Sequence, residues 1–197
     1  VIMPALNEEA TIARVIEAVP RSIKGIDRVS VWVVDDGSKD NTKAEAESAG
    51  AQVISHGKNL GLGRAFSTAV DTALKAGADI MVNIDSDGQF DPATIPKLIR
   101  PIIKGKADFV SCSRFGDQSL IPEMPGIKLW GNQWMTRLVN LIVRPSKSFT
   151  DVSCGFRAYT RDTLLRLNLY GSFTYTQETF TDLAYKRLRM AEVPLPV

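Results

Sequence analysis

Five short apolar stretches, each followed by polar residues and then by helical spacing, constrain this chain more than any other feature. Val1-Ile2-Met3, Val29–Val34, Gln52–Ser55, Ile80–Ile84 and Phe109–Ser113 read as strands, rich in β-branched and apolar residues. Pro4 is expected to end the first. Thr11 can cap a helix whose Ile12, Val15, Ile16 and Val19 recur at helical spacing. Thr42–Ala49 reads as a second helix, and a third opens after a glycine-rich loop and runs through Ala76. Asp91-Pro92 starts a fourth, which Pro96 and Pro101 interrupt. Strands that alternate with helices over short loops predict an α/β fold, with a mostly parallel sheet and helices on both faces.

In such a fold, ligands bind beyond the carboxyl ends of the strands. The Ile80–Ile84 run ends abruptly in Asp85-Ser86-Asp87-Gly88-Gln89. Asp85, Asp87 and Gln89 offer oxygens at i, i+2 and i+4. That set suits a hard divalent cation, Mg²⁺ or Mn²⁺, which commonly arrives with phosphates. The same composition also makes an Asp-rich turn. The second strand ends in Asp35-Asp36-Gly37-Ser38, whose carboxylates can accept hydrogen bonds from a base or ribose, or simply form a turn. His56-Gly57-Lys58-Asn59-Leu60-Gly61-Leu62-Gly63-Arg64 can bring backbone N–H groups to an anion at a helix start, with charge added by Lys58 and Arg64. A plain turn has the same look. Every candidate group follows a strand, so all fall on one edge of the sheet.

The second half is different. From Lys128 onward ten basic residues stand against five acidic ones, whereas the first 127 residues carry fourteen against seventeen. Ile127–Val143 is expected to be a helix with Trp130, Trp134, Leu138, Leu141 and Ile142 on a broad apolar face beside basic residues. That pattern suits an interfacial helix as well as one packed on the sheet. Gln118–Gly126 reads as a mobile loop, Ala158–Thr160 as an extended segment, Thr176–Leu188 as a helix and Ala191–Pro194 as a strand. Cys112 and Cys154 match no metal or redox spacing, and the single His56 argues against histidine metal sites and His-dependent triads. The chain starts inside a strand and is expected to be one domain, as a piece of a longer membrane-associated protein would be.

Pro4-Ala5-Leu6-Asn7-Glu8, Val33 to Ser38, Asn59-Leu60-Gly61, Asp85 to Gln89, Ser113-Arg114-Phe115, Asp151 to Arg157 and Glu192-Val193-Pro194 follow one another along nearly the whole chain. In that order they resemble the family-two nucleotide-sugar glycosyltransferases, most of all the polyprenyl-phosphate and dolichol-phosphate mannosyl- and glucosyltransferases. The resemblance implies a GT-A fold, a Rossmann-like three-layer sandwich. Residues 1–115 would bind the nucleotide sugar and 116–197 the acceptor. Pro4, Ala5, Asn7 and Glu8, with Asp36, would line the nucleoside pocket, and Asp35, Lys58, Gly61 and Ser86 would complete the donor site. Asp85, Asp87 and Gln89 would hold the metal and the donor diphosphate. Arg114, Lys128 and Arg157 would meet the acceptor phosphate. Lys128 stands where the family more often has Arg.

The implied reaction moves mannose or glucose from GDP-mannose or UDP-glucose to a polyprenyl phosphate, with inversion, on the cytoplasmic face of a membrane. No nucleic acid is expected as a partner. Asp87, Arg114 and Glu178 are the expected catalytic residues. A phosphate acceptor is already an anion near neutral pH and needs no general base, because its second pKa is about 6. A sugar hydroxyl acceptor would need one, and Glu178 or Asp151 would be the candidates. The Asp-x-Asp-Gly run also resembles haloacid-dehalogenase phosphatases, where that motif follows the first strand rather than the fourth. A nucleotide-sugar-binding protein without catalysis is the remaining alternative.

Overall fold

The computed structural model describes residues 1–116, 126–143, 148–168 and 175–196, without the side chains of residues 127 and 128. Its strands are β1 (Ile2–Ala5), β2 (Trp32–Asp35), β3 (Gln52–Ser55), β4 (Ile80–Asn83), β5 (Phe109–Ser113), β6 (Arg157–Thr160) and β7 (Met190–Pro194). They form one sheet in the order β3-β2-β1-β4-β6-β5-β7. Among the described strands only β6 runs against its neighbours, pairing antiparallel with both β4 and β5. The helices are α1 (Ile12–Glu17), α2 (Thr42–Ser48), α3 (Leu62–Lys75), α4 (Ile95–Ile103), α5 (Gly126–Val143), α6 (Arg161–Arg166) and α7 (Thr176–Tyr185).

Side chains alternate across a strand, so neighbours face opposite layers. Met3, Val33 and Val82 pack with Ile12, Ile16, Ala46 and Leu98, under α1, α2 and α4. Ile2, Val34 and Met81 pack with Phe66, Leu164 and Phe180, under α3, α6 and α7. The result is the expected three-layer sandwich. A short 3₁₀ turn, Pro92–Thr94, precedes α4, and Asp91 caps it by accepting from Ala93 N–H. Pro101 lies inside α4 without ending it.

Pro4 does not end β1; it is a paired residue within it, opposite Val34. Ala5 C=O accepts from Asp36 N–H of the β2 side, and Ile2 C=O accepts from Ile84 N–H of the β4 side. Pro4 therefore turns its polar groups toward β4, as Ile2 does. There β1 and β4 pair only at Ile2 and Asn83 and then separate. The missing N–H of Pro4 costs no ladder bond in that gap. Its carbonyl accepts from the Ser86 hydroxyl at 2.9 Å. The crossover from β1 goes through α1 on one face and the one into β4 through α3 on the other. A cleft is expected at such a switch point.

Candidate active site

A cleft of about 290 Å³ opens there, lined by Pro4, Ala5, Glu8, Asp36, Gly61, Asp85, Ser86 and Asp87 among others. A larger cavity of about 530 Å³ lies at the opposite edge, between residues such as Ile23, Trp32, Ile80 and Ile99. It is remote from the strand-end carboxylates, so the smaller cleft is the candidate site.

Asp85 is the most constrained group in the cleft. Burial, and then the charge of Asp87, push its carboxyl up to about 6, against the opposing pull of Arg157 and Arg114. Gly155 lies so close that a Cβ there would fall 2.5 Å from Asp85 Oδ2. Asp87 is exposed; its Oδ1 accepts from Gln89 N–H at 2.9 Å, closing a turn in which Gly88 has φ +77°. Gln89 thus orients Asp87 through its backbone. Two crowded carboxylates at a cleft, one held toward its neutral form, fit a divalent cation that completes its shell with phosphate oxygens. Among the described residues no cluster of three or more His, Cys, Asp or Glu forms a self-sufficient metal cage.

Asp85 also sets a pH dependence. Its folded pKa exceeds the unfolded value, so the native state holds an extra proton between about 4 and 6. Metal-free protein therefore loses stability as pH rises through that window, by about 3 kcal/mol for a shift of this size. The expected result is a lower melting temperature at pH 7.5 than at pH 5 relative to Asp85→Asn, measured by calorimetry with chelator. A parallel pH profile in the variant would remove the assignment.

The loops around the cleft are tied to one another. Asn7, at φ +57°, accepts from Lys39 N–H through Oδ1, and its N–H donates to Ser38 Oγ. Glu8 N–H donates to Thr42 Oγ1, and its carboxylate accepts from the Thr11 hydroxyl at 2.7 Å. Asp35 is buried and accepts from Ser38 N–H and the Ser55 hydroxyl. Burial alone would raise its pKa, but the hydrogen bonds from Ser38 and Ser55 outweigh it and hold the carboxyl below the usual range. Asn7 and Asp35 shape the wall without lining the cleft.

The glycine-rich loop is not free to receive a phosphate. Leu60 N–H and Gly61 N–H donate to Asp36 at 3.0 and 2.8 Å. The anion these amides hold is the protein's own carboxylate. Lys58 is exposed and its backbone packs over Gly37, outside the cleft lining.

Arg114 sits at the end of β5. Its Nε and Nη2 donate to the two oxygens of buried Asp151, at 2.6 and 3.1 Å. Glu192 accepts from Asp151 N–H, Thr150 N–H and the Thr150 hydroxyl, so β7 supports that pair. Asp151, committed to Arg114 and fully buried, does not serve as a base. Arg114 stays within electrostatic range of Asp85.

Arg157 corrects the sequence expectation. It is wholly buried, and its guanidinium donates to the carbonyls of Cys154, Val152 and Thr176 at 2.7, 2.9 and 2.8 Å. No acceptor phosphate reaches it. Glu178 lies half-buried in the first turn of α7. The side chain of Lys128 and most of the Gln118–Gly126 loop fall outside the described residues. Sequence reasoning passed over Gly155, whose only signal was its place in the Asp151–Arg157 motif. It also passed over Tyr175, whose hydroxyl accepts from Asn83 Nδ2 at 2.9 Å.

A family model for glycosyl transferase family 2 matches residues 1–167. The chain is 31% identical to the UDP-N-acetylglucosamine–dolichyl-phosphate N-acetylglucosaminyltransferase of Methanococcus voltae, over 98% of this chain and 83% of that one. It is 29% identical to the undecaprenyl-phosphate mannosyltransferase of Micrococcus luteus, over 98% and 81%. Glucosyl-3-phosphoglycerate synthase from Mycobacterium tuberculosis, in complex with Mn²⁺, uridine diphosphate and phosphoglyceric acid, superposes with a TM-score of 0.76. That match has 25% identity and covers 100% of this chain and 68% of that one. With this sheet order, this cleft and these matches, the chain belongs to glycosyl transferase family 2 and is a glycosyltransferase of the GT-A fold.

Proposed function

We propose that the protein transfers a hexosyl group from a nucleoside-diphosphate sugar to a polyprenyl phosphate, with inversion at the anomeric carbon. The observation that carries this reading is the Asp85–Asp87 pair at the β1/β4 cleft, with Asp85 pushed up to about 6 beside Gly155. Asp85 and Asp87 would hold Mg²⁺ or Mn²⁺, which when bound neutralises charge on a departing diphosphate. Ser86 and Pro4 fix the β4 loop to β1, so the carboxylates are set before the donor arrives. Asp36, Glu8 and Gly61 form the nucleoside side of the cleft. Arg114, aimed by Asp151, adds positive potential on the acceptor side. A phosphate nucleophile needs no base, which agrees with Asp151 being spent on Arg114. The names of the two relatives above also state polyprenyl-phosphate acceptors.

The test is calorimetric titration with GDP, UDP, GDP-mannose and UDP-glucose, with and without Mn²⁺. One nucleotide is expected to bind with Mn²⁺ dependence, and Asp87→Ala to weaken it by about tenfold to a hundredfold or more, since even a residue that only orients a metal ligand costs about that much when lost. Metal-independent binding, or an Asp87→Ala variant that binds normally, would sink the proposed metal site.

Helix α5 supports a membrane acceptor. It turns Thr136 and Val139 inward and leaves Trp130 62%, Trp134 47%, Leu141 68% and Ile142 65% exposed. A helix that keeps its apolar residues on the water side suits a lipid interface. No described helix is long and apolar enough to cross a membrane. Trp130→Ala with Trp134→Ala is expected to weaken binding to anionic liposomes about tenfold while the melting temperature holds. Liposome affinity equal to the parent protein's would rule the interfacial role out.

A further inference from the structure

The single histidine is built into the cleft wall from behind. His56 follows β3, and its Nδ1 lies 2.7 Å from Asp36 Oδ1 while its Nε2 lies 2.9 Å from Thr68 Oγ1 of α3. Both partners of the first contact are shielded, with side chains 10% and 6% exposed. A carboxylate only accepts, so the proton in that contact sits on Nδ1. Nε2 meets the Thr68 hydroxyl, which can serve as donor or acceptor. The sequence argued against a His-dependent triad, yet Thr68, His56 and Asp36 stand in the connectivity of one. The end that meets the cleft decides its use. Asp36 lines the cleft, whereas His56 and Thr68 do not. The threonine is therefore no nucleophile for a ligand there.

Asp36 is the hub. Its Oδ1 accepts from His56 and from Leu60 N–H, and its Oδ2 accepts from Gly61 N–H. That leaves Oδ2, on a residue that lines the cleft, with capacity for one more donor. Asn59 and Gly61 belong to the same wall. A carboxylate free to rotate could not keep both loop amides and present a constant acceptor. The bond from His56, itself fixed by Thr68 on a long helix, removes that freedom.

We propose that His56 is a positioning residue for the nucleoside part of the donor: through Asp36 it holds both the residues 59–61 wall and an acceptor oriented toward a base N–H. This rests on the nucleotide-sugar reading of the cleft. His56 touches neither the diphosphate end nor the Asp85–Asp87 pair, so its effect separates from theirs.

The experiment is calorimetry with Mn²⁺ and three probes, GDP, UDP and inorganic pyrophosphate, on the parent protein and on His56→Leu, His56→Asn and Thr68→Val. His56→Leu is expected to weaken the preferred nucleotide about tenfold, the scale of one charge-assisted hydrogen bond, with pyrophosphate unchanged. His56→Asn keeps an N–H near the Nδ1 position and is expected to recover most of that loss. Thr68→Val, the milder change, is expected to fall between them. Equal nucleotide binding in His56→Leu and the parent would overturn the role of His56 alone. An equal loss of nucleotide and pyrophosphate, unrescued by Asn, would overturn it in favour of general damage to the fold. A parent protein that binds pyrophosphate but neither nucleotide would overturn the nucleotide reading and this proposal together.

Discussion

Gly155→Ala is expected to abolish hexosyl transfer while leaving the protein folded. The new Cβ would stand 2.5 and 2.7 Å from the two carboxylate oxygens of Asp85, distances that no real Cβ keeps. One side has to move. Gly155 is held, because its carbonyl accepts from Asn83 Nδ2 at 2.9 Å and its chain neighbours Cys154 and Phe156 are buried. Asp85 is short and sits at the end of a central strand, so its carboxylate swings out of the cleft. A displacement of about 1 Å in a catalytic group costs on the order of a hundredfold in rate. Turnover should fall by at least about that factor, with Mn²⁺-dependent nucleotide binding lost alongside it. Gly131→Ala is the control. Nothing lies within 4 Å of its added Cβ on the outer face of α5, and removing a mid-helix glycine should stabilise by up to about 1 kcal/mol. A Gly155→Ala enzyme with parental turnover would show that Asp85 does not need its observed position.

Arg157→Met should unfold the protein more readily than any cleft substitution. The guanidinium satisfies three buried carbonyls at once and lies 4.9 Å from the Phe180 ring centroid and 5.8 Å from those of Phe109 and Tyr175. Met fills much of the volume but leaves all three carbonyls without donors, and unpaired buried polar groups cost about 1–3 kcal/mol each. With partial relaxation the loss should be on the order of 3–5 kcal/mol, or roughly 10 °C in melting temperature for a domain of this size. Lys does not rescue, because an ammonium cannot span a planar fork of three acceptors. The sequence assignment of Arg157 to an acceptor phosphate predicts the opposite: a raised acceptor KM at unchanged stability. Thermal melts of Arg157→Met and Arg157→Lys decide between them, and an unshifted melting temperature would defeat the structural role.

The sequence carried the fold where the signal was local. β3 matches its expected bounds, and α2 and α3 end within a residue of theirs. The strand-end placement of Asp36, Asp85 and Asp87 was also legible, since an apolar run that stops at a carboxylate is written in the chain itself. What was not legible depended on partners distant in sequence. The direction of β6 is set by the two strands that flank it. The fate of Arg157 is set by the Thr176 carbonyl and by the rings of Phe109, Tyr175 and Phe180 that close around it, as well as by carbonyls near it in sequence. Asp36 and Gly61 were both singled out as ligands of a nucleotide. They are first of all ligands of each other, which no spacing rule reveals. Pro4 looked like a strand terminator because proline lacks a donor. It is tolerated because β4 has already turned away at that point.

The insertion of β6 also has a bearing on how the chain is made. β4 can gain its second neighbour only when Arg157–Thr160 has been synthesised, and β5 waits for the same segment and then for β7. During translation the first four strands and their helices can assemble in order, each beside a strand already present. The sheet then stalls with a bare central edge, exposing the Asp85 side of the cleft, until the strand after α5 returns to fill it. Long-range closure of this kind is slow and leaves an unpaired edge open to other chains in the interval. A protein cut after β5 would keep its donor-side motifs and lose the strand that seals them, so its edge would be a site for aggregation rather than for catalysis.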